Sequence, residues 1–370
     1  MALRSGSAVP PTGARRAADR RRSAGAGLAA LLAVGLAASG CTSSGTASGG
    51  DEGTRTLIVT SFGGSFETAQ KQVLIPEFEK RYNAKVELTT LLSGPALAKL
   101  KAQGANSGFD VVQFSGGQEV EAGTLNLIAP VDAAAVPNAA SVVEQAKRGQ
   151  YAPAFALNST GIIYNTEKVT PAPTSWNDLY DTRYKGRVGL PDISNTSGLN
   201  TLYMLNQING GSGTNMKPGY DAVRRLMPNL HSVYRDGATM TQLLGDGTID
   251  MAVFDSGYAY LLRQQGQKVG FVLPKDGSLV YGLTMNVVAG SKNADLAQKL
   301  IDLALEPQIQ VEFAKAAGYV PTNTGATLPD DLAQTLPVRS EIERLSVADG
   351  AVVSANRAAW TEEWNKIVAK

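Results

Sequence analysis

The fold is decided by the stretch Thr56-Leu-Ile-Val-Thr-Ser-Phe-Gly-Gly-Ser65 and by the two segments that follow it, 66–82 and 84–90. The run Thr56–Thr60 is rich in β-branched residues and predicts a strand. Residues 61–65 predict a glycine turn, and the apolar residues of 66–82 recur near helical spacing. Strand, turn, helix and strand in this order form a βαβ unit, so the stretch predicts an α/β fold with a mostly parallel sheet.

The same alternation continues along the chain. Residues 95–103 predict a helix, and Asp110–Phe114 predict a third strand that runs into Ser115-Gly116-Gly117. Ligands of such sheets lie beyond the carboxyl ends of the strands, so the turns after Thr60 and after Phe114 are expected to face one cleft. Further strands are predicted at 161–165, 186–192, 249–254, 269–273 and 282–289, and further helices at 199–208, 218–227, 294–305 and 307–317.

The amino terminus has the pattern of a signal peptide. Arginines precede an uncharged run rich in alanine, leucine and glycine, 23–40, which ends in Ala38-Ser-Gly-Cys41. This end resembles a bacterial lipobox, and the resemblance implies cleavage before Cys41 and diacylation of its thiol. A plain cleaved signal peptide is the alternative, and the arginine pairs leave Sec and twin-arginine export both open.

Composition narrows the class of protein further. Cys41 is the only cysteine of the sequence, so no disulfide forms within a monomer. Residues 42–53 are rich in Gly, Ser and Thr and predict a flexible tether with a reach of roughly 20 Å. The segment before Cys41 holds six of the 34 basic residues and only one of the 33 acidic residues. The rest of the chain is therefore mildly acidic. Such a body has no basic stripe, which argues against nucleic acid as a partner.

Several phrases of the sequence carry a family resemblance. They are Thr174-Ser-Trp-Asn-Asp-Leu179, Arg183-Tyr-Lys-Gly-Arg187, Gly270-Phe-Val-Leu-Pro-Lys275, Asp302-Leu-Ala-Leu-Glu-Pro307 and Gly318-Tyr-Val-Pro-Thr-Asn323. Together with the order of elements, they resemble the polyamine-binding branch of family 1 periplasmic solute-binding proteins across residues 55–370. The resemblance implies a substrate-binding lipoprotein that captures a small amine-bearing solute and hands it to an ABC permease and its ATPase.

The resemblance also implies an architecture, the hinged, two-lobed type II periplasmic-binding-protein fold with a mostly parallel, helix-flanked sheet in each lobe. Lobe 1 is expected to hold 55–157 and about 284–320, lobe 2 to hold 158–283 and about 321–370, and the chain to cross near 156–161 and 280–284. The resemblance further implies a monomer anchored to the outer face of the cytoplasmic membrane. Such a protein is expected to have no enzymatic activity and to need no cofactor or metal.

Residue-by-residue transfer from the family gives candidate cleft residues. Polyamine binders hold ammonium groups with carboxylates and enclose the methylene chain between aromatic faces. The matching aromatic and hydroxyl positions are Phe62, Ser115, Phe254 and Tyr281. The family's carboxylates are replaced near 193–197 and at Leu283, which leaves Asp255 as the best carboxylate in a cleft-facing turn.

The segments 61–65 and 194–198 each precede a predicted helix, where backbone N–H groups, hydroxyls and the helix dipole favour anions. Combined with Asp255, they suggest a zwitterionic ligand with an amine at one end and an anion at the other. Ordinary N-capping and turn chemistry is the alternative for both segments, and a helix cap is the alternative for Asp255. The candidate ligand-binding residues are Ser61, Phe62, Gly63, Gly64, Ser115, Gly116, Asp192, Asn195, Thr196, Phe254, Asp255, Tyr258 and Tyr281.

Two other functions compete with amine binding. Tyr258 and Tyr260 raise ferric-iron binding within the same fold, although positions i and i+2 of a helix do not face the same way. Asp192 with Asp255 is the carboxylate pair that a secreted hydrolase would use. The sequence has one histidine, His231, and no Gly-x-Ser-x-Gly, HExxH or P-loop motif.

Overall fold

The computed structural model describes residues 54–333 and 335–369. The predicted signal peptide, the lipidation site at Cys41 and the tether lie outside the described residues. Within these residues, no helix combines the length and the apolar character that a membrane crossing requires.

A mixed β-sheet runs through the protein. Its described strands are β1 (Thr56–Ser61), β2 (Lys85–Thr90), β3 (Val111–Ser115), β4 (Ala154–Asn165), β5 (Val188–Pro191), β6 (Leu230–Tyr234), β7 (Met251–Asp255), β8 (Val269–Val272), β9 (Val280–Val287) and β10 (Val320–Pro321). Neighbouring strands follow the order β2-β1-β3-β9-β4-β7-β5-β6, and β8 and β10 both pair with β4.

Parallel pairs lie toward the two ends of this sheet, and antiparallel pairs join them. β1 pairs in parallel with β2 and β3, and β5 pairs in parallel with β6 and β7. β4 pairs antiparallel with β9 through its first half, up to Ser159, and with β7 from Thr160 onward. The α/β class is confirmed. β4 and β9 contain the segments 156–161 and 280–284 at which crossings between lobes were expected.

Helices flank the sheet. They are α1 (Gly64–Ala69), α2 (Ile75–Tyr82), α3 (Ser93–Gln103), α4 (Gln118–Thr124), α5 (Thr196–Ile208), α6 (Lys217–Leu226), α7 (Gly237–Gly245), α8 (Ser256–Gln264), α9 (Ala294–Ala304), α10 (Pro307–Ala317), α11 (Asp330–Ala333), α12 (Arg339–Ile342) and α13 (Gly350–Val368). The predicted helix over 66–82 is divided by a π-helical turn at Gln70–Leu74. Pro76 follows that turn, and because proline lacks an N–H it breaks the regular α-helical ladder there.

Two large apolar cores hold the elements together. One contains Phe66, whose ring centroid lies 5.5 Å from that of Phe313 and 6.0 Å from that of Phe155. The other contains Trp176 and Trp364, both fully buried. The indole of Trp176 donates a hydrogen bond of 2.8 Å to a backbone carbonyl, so its polar atom is satisfied inside the core.

The segment after β10 divides between these cores. Leu332, Leu336 and Ile342 belong to the first core. Trp360 and Trp364 of α13 belong to the second. The segment 321–370, expected as a whole in lobe 2, therefore serves both cores, because its short helices α11 and α12 bury their apolar side chains beside β10 before the chain reaches α13.

Candidate functional site

The turn after β3 and the start of α5 meet. Ser115 Oγ and Thr196 Oγ1 lie 3.2 Å apart and share a hydrogen bond. Gly116 has a φ of 78°, and a Cβ atom there would lie 3.0 Å from Thr196 Oγ1. The carbonyl of Gly116 also accepts a hydrogen bond of 2.7 Å from Arg357 Nη2 in α13. The structure thus brings together three of the predicted site residues, and glycine at 116 is what allows the approach.

Asp255 ends β7 with a carboxyl group that is nearly enclosed. The residue is 5% exposed and accepts a hydrogen bond from the hydroxyl of Ser197. Burial raises the pKa of Asp255 to about 6, although the hydroxyls of Ser197 and Tyr281 favour the ionised form and lower it part of the way. Asp255 occupies the N-cap position of α8 without a side-chain cap bond, so its carboxyl group is directed to other partners.

Tyrosines surround this carboxyl group. Burial raises the pKa of Tyr281 and of Tyr319 well above 10, and that of Tyr258 to about 12, with the charge of Asp255 adding to each increase. All three therefore stay protonated at neutral pH and offer hydroxyl donors and aromatic faces beside Asp255. From the sequence we listed Tyr258 and Tyr281, named Ser197 only within the segment 194–198, and missed Tyr319. Tyr319 lies in the segment 318–323, one of those that carried the family resemblance. That resemblance could have identified it.

Phe254 lies behind this group of tyrosines. It is 1% exposed, and its ring centroid lies 4.7 Å from that of Tyr258 and 5.8 Å from that of Tyr234. The residue was expected as an aromatic wall of the cleft. Its side chain instead supports Tyr258 from the core, because alternate residues of β7 point to opposite faces and Asp255 takes the other one.

The first glycine turn has a different set of contacts. Ser61 is fully buried, and its hydroxyl donates a hydrogen bond of 2.7 Å to Gln70 Oε1. Phe62 is partly exposed, with its ring centroid 5.0 Å from that of Phe66. Gly63 and Gly64 have φ values of 77° and 56°, which favour glycine. The side chain of Phe62 therefore remains partly accessible, while that of Ser61 does not.

Asp192 and Asn195 make structural contacts. Asp192 Oδ2 accepts a hydrogen bond of 3.2 Å from the indole of Trp364, and its Oδ1 accepts two from Ser194. Asn195 caps α5 by accepting a hydrogen bond of 2.8 Å from the backbone N–H of Ser197. The side chain of Asn195 therefore acts as an ordinary N-cap, which was the alternative to anion binding.

The side chains predicted for the two competing functions, ferric-iron binding and hydrolysis, have separate partners in the structure. The hydroxyl of Tyr260 donates a hydrogen bond of 2.9 Å to the carbonyl of Lys315, and Tyr260 and Tyr258 pack in different apolar clusters. Tyr258 and Tyr260 therefore do not converge on one point. Over 54–333 and 335–369, no three His, Cys, Asp or Glu side chains come together as a metal site. Asp192 and Asp255 are held by separate partners, Trp364 and Ser197.

A cavity of about 150 Å³ lies next to these residues, and we call it the interlobe cavity because its lining includes residues of both lobes expected from the sequence. Gly116 and Tyr281 line it among the predicted site residues. Other lining residues are Glu119, Arg148, Asn200, Val347 and Val353. Since Tyr281 both lines this cavity and interacts with Asp255, the cavity continues the site toward β9 and α13.

Comparisons with known proteins identify a family and several relatives. A family model of bacterial extracellular solute-binding proteins matches residues 74–337. The chain is 29% identical over 182 residues to a spermidine/putrescine-binding periplasmic protein of Escherichia coli, covering 48% of the chain and 51% of that relative. The chain thus spans about half the length of that relative.

Two further relatives are matched over more of their length. The chain is 25% identical over 293 residues to a gamma-aminobutyric acid-binding protein of Pseudomonas aeruginosa, covering 76% of the chain and 82% of the relative. The solved structure of a GABA receptor superposes with a TM-score of 0.74 at 23% identity, covering 85% of this chain and 98% of that one. The predicted two-lobed fold of periplasmic solute-binding proteins is confirmed by this likeness.

Proposed function

The chain belongs to the family of bacterial extracellular solute-binding proteins, and we propose that it captures a small amine-bearing solute between its lobes for delivery to an ABC importer. The solute is a polyamine-like or zwitterionic amino compound. The protein performs no chemical conversion in this role, since it binds, closes and releases.

The observation that carries the proposal is the buried carboxyl group of Asp255. Within the described part of the chain, no Lys or Arg side chain forms an ion pair with it, and its contacts are hydroxyl groups. Removing an unpaired carboxylate from water costs several kcal/mol, and the raised pKa of Asp255 expresses that cost. A ligand ammonium would supply the missing positive charge, so the site favours a primary amine.

The tyrosines give this carboxylate its selectivity for cations. Tyr258, Tyr281 and Tyr319 are protonated and therefore uncharged, so none of them neutralises Asp255 in place of a ligand cation. Their rings offer negative faces to an ammonium group and apolar surface to a methylene chain. Phe62, accessible at the first glycine turn, adds a further aromatic surface to the proposed site.

The relatives support an amine but leave its other end undecided. One is named for spermidine and putrescine, which carry amines at both ends. Another is named for gamma-aminobutyric acid, which carries an amine and a carboxylate. The feature common to these ligands is a primary amine on a short methylene chain, which agrees with a buried carboxyl group at Asp255 that has no ion-pair partner among the described residues.

Closure of the lobes links capture to delivery. We place Ser115 and Gly116 in lobe 1 and Thr196 in lobe 2, so their contact joins the two lobes. A solute that touches both lobes binds the closed form better than the open one and shifts the hinge equilibrium toward closure. The permease then recognises the closed form.

Export and anchoring form a separate part of the proposal. Cys41, at the end of the lipobox-like stretch, is the attachment site for the lipid. Substitution of Cys41 by serine should move the protein from the membrane fraction to the medium or periplasm and abolish incorporation of labelled palmitate. Unchanged membrane retention of Cys41→Ser with no lipid label would contradict lipid anchoring.

Binding can be tested without knowing the natural solute. The purified protein is heated with putrescine, spermidine, 4-aminobutyrate and matched compounds that lack the amine. We expect an increase in the melting temperature with at least one amine and none with the amine-free analogues. Stabilisation by amine-free anions alone would contradict an amine site.

A further inference from the structure

The interlobe cavity is built from parts that are distant in sequence. The turn before α4 and the start of α4 contribute Gly116 and Glu119, β9 contributes Tyr281, and the segment that leads into α13 contributes Val347. Its volume of about 150 Å³ is close to that of an engineered cavity that holds benzene, so it accommodates about six heavy atoms. It therefore has room for one end of a small solute.

A buried ion pair lines this cavity. Arg148 Nε donates a hydrogen bond of 2.9 Å to Glu119 Oε1, and the two side chains are 13% and 4% exposed. Arg148 Nη1 donates to the carbonyls of Gln145 and Lys147. Gly282 is required beside the pair, since a Cβ atom there would lie 2.4 Å from the Cβ of Ala154 and 2.6 Å from Arg148 Nη2.

One atom of the pair is left without a partner. Glu119 Oε2 is buried and accepts no hydrogen bond from the described residues. A buried acceptor without a donor costs about 1–3 kcal/mol, and native proteins normally satisfy such an atom with water, an ion or a ligand. The missing partner of Glu119 is a hydrogen-bond donor.

Charge decides which kind of donor fits. Arg148 already neutralises Glu119, and most of the other lining is apolar, with Val347 and Val353 among the residues. A second ammonium would lose its hydration here without gaining an unpaired carboxylate, and a ligand carboxylate would lie beside that of Glu119. An uncharged group that both donates and accepts hydrogen bonds has neither disadvantage.

We propose that the interlobe cavity is a specificity subsite for the uncharged polar end of the solute, of the carboxamide or hydroxyl class, which donates a hydrogen bond to Glu119 Oε2. This rests on the proposed function, in which Asp255 holds the ammonium end. Tyr281 lies between the two, because it interacts with Asp255 and lines the cavity. The preferred solute class is then a short ω-amino amide or amino alcohol.

The test uses three solutes with the same four-carbon chain and one primary amine in common: 4-aminobutanamide, 4-aminobutyrate and 1,4-diaminobutane. Their dissociation constants are measured by calorimetry with the full protein. We expect the amide to bind at least about tenfold more tightly than the other two. Equal affinities for the three would overturn the subsite, while a lack of binding by all amines would overturn the proposed function as well.

Variants separate the subsite from the rest of the cleft. Glu119→Gln replaces the free acceptor by a donor and leaves Arg148 without its counter-charge, so the preference should shift from the amide toward 4-aminobutyrate. Glu121→Gln is the matched control on α4, because Glu121 pairs with Lys101 outside the cavity lining. An unchanged order of affinities in Glu119→Gln would contradict the proposal.

A second variant avoids the buried pair, whose loss can destabilise the fold. Val347 is 44% exposed and lines the cavity, so Val347→Trp should obstruct it and weaken binding of the amide at least about tenfold. Val338, 36% exposed and outside the cavity lining, gives the control Val338→Trp. Full amide affinity in Val347→Trp, with an unaltered melting temperature, would overturn the assignment of the cavity.

Discussion

The hydroxyl groups of Ser115 and Thr196 lie 3.2 Å apart, and this contact ties the end of β3 to the first residue of α5. Eighty-one positions separate the two residues in the sequence, so the contact reports on tertiary arrangement alone. It lies beside Gly116, whose carbonyl is held by Arg357 of α13. These contacts fix how closely the two proposed lobes approach each other.

Thr196→Val keeps the shape of the side chain and removes its hydroxyl. Loss of one hydrogen bond costs about 1 kcal/mol, so the closed form should weaken and solute affinity should fall about fivefold. Small-angle scattering at a subsaturating solute concentration should give Thr196→Val a larger radius of gyration than the wild type, closer to the solute-free value. Thr214→Val, at an exposed threonine, is the control, and equal affinities in both variants would argue against a role for the contact.

Gly116→Ala tests the same approach through sterics. Alanine at a positive φ costs about 1–2 kcal/mol, and here its methyl group also meets Thr196 Oγ1 at 3.0 Å. Gly149 has a φ of 61° with open space around it, so Gly149→Ala carries the backbone strain without the clash. We expect both variants to lose stability in urea and only Gly116→Ala to lose solute affinity. Equal effects on affinity would assign the loss to backbone strain.

The raised pKa of Asp255 predicts a pH dependence of stability in the solute-free protein. Its pKa is about 6 when folded against an ordinary 3.8, so between about pH 4 and 6 the unfolded chain releases this proton first. The unfolded state then binds fewer protons, and the free energy of unfolding falls with increasing pH, by about 3 kcal/mol in total from below both pKa values to above both. Urea titrations should show about 2 kcal/mol of this fall between pH 4.5 and 7, and Asp255→Asn should lack it. An identical pH profile for wild type and Asp255→Asn would contradict the assignment.

The same titration predicts how amine binding responds to pH. An ammonium ion binds the ionised carboxylate, so protons compete with the solute below about pH 6. The apparent affinity should therefore be about tenfold lower at pH 5 than at pH 7. A simple amine such as putrescine stays fully protonated across this range, so a constant affinity would show that Asp255 does not receive the amine.

Asp192 should matter for stability and not for binding. Its carboxylate accepts from the indole of Trp364 and from Ser194, and Asp192→Ala leaves a buried indole N–H without an acceptor. That loss should cost about 1–3 kcal/mol in the free energy of unfolding measured in urea. Solute affinity, measured under conditions where the variant is folded, should equal that of the wild type. A tenfold weaker affinity would return Asp192 to the binding site.

The sequence predicted best the elements whose pattern is local. β1 and α9 carry dense apolar periodicity, and the structure confirms them. β6 was missed because it is short, and the polar residues His231 and Ser232 interrupt its apolar pattern. α7 begins at an Asp236 cap that has no strong apolar stripe behind it, so nothing in the local pattern separated it from a loop.

Individual site residues could be predicted from the sequence, whereas their pairings with distant residues could not. Asp255 follows a buried strand, and Tyr281 matched a family position, so both were found before the structure was known. The pairing of Asp255 with Ser197 joins residues 58 positions apart, and that of Asp192 with Trp364 joins residues 172 apart. Such pairings depend on how helices and strands pack, and no local pattern encodes them.

The most direct test of the account is paired calorimetric titration of the wild type and Asp255→Asn with primary amines at pH 7.5. Asparagine keeps the shape of the side chain but cannot balance an ammonium charge. We expect saturable one-to-one binding of at least one short-chain primary amine to the wild type, weakened at least about tenfold in the variant. Unchanged affinity in a folded Asp255→Asn variant, or no amine binding to the wild type, would contradict it.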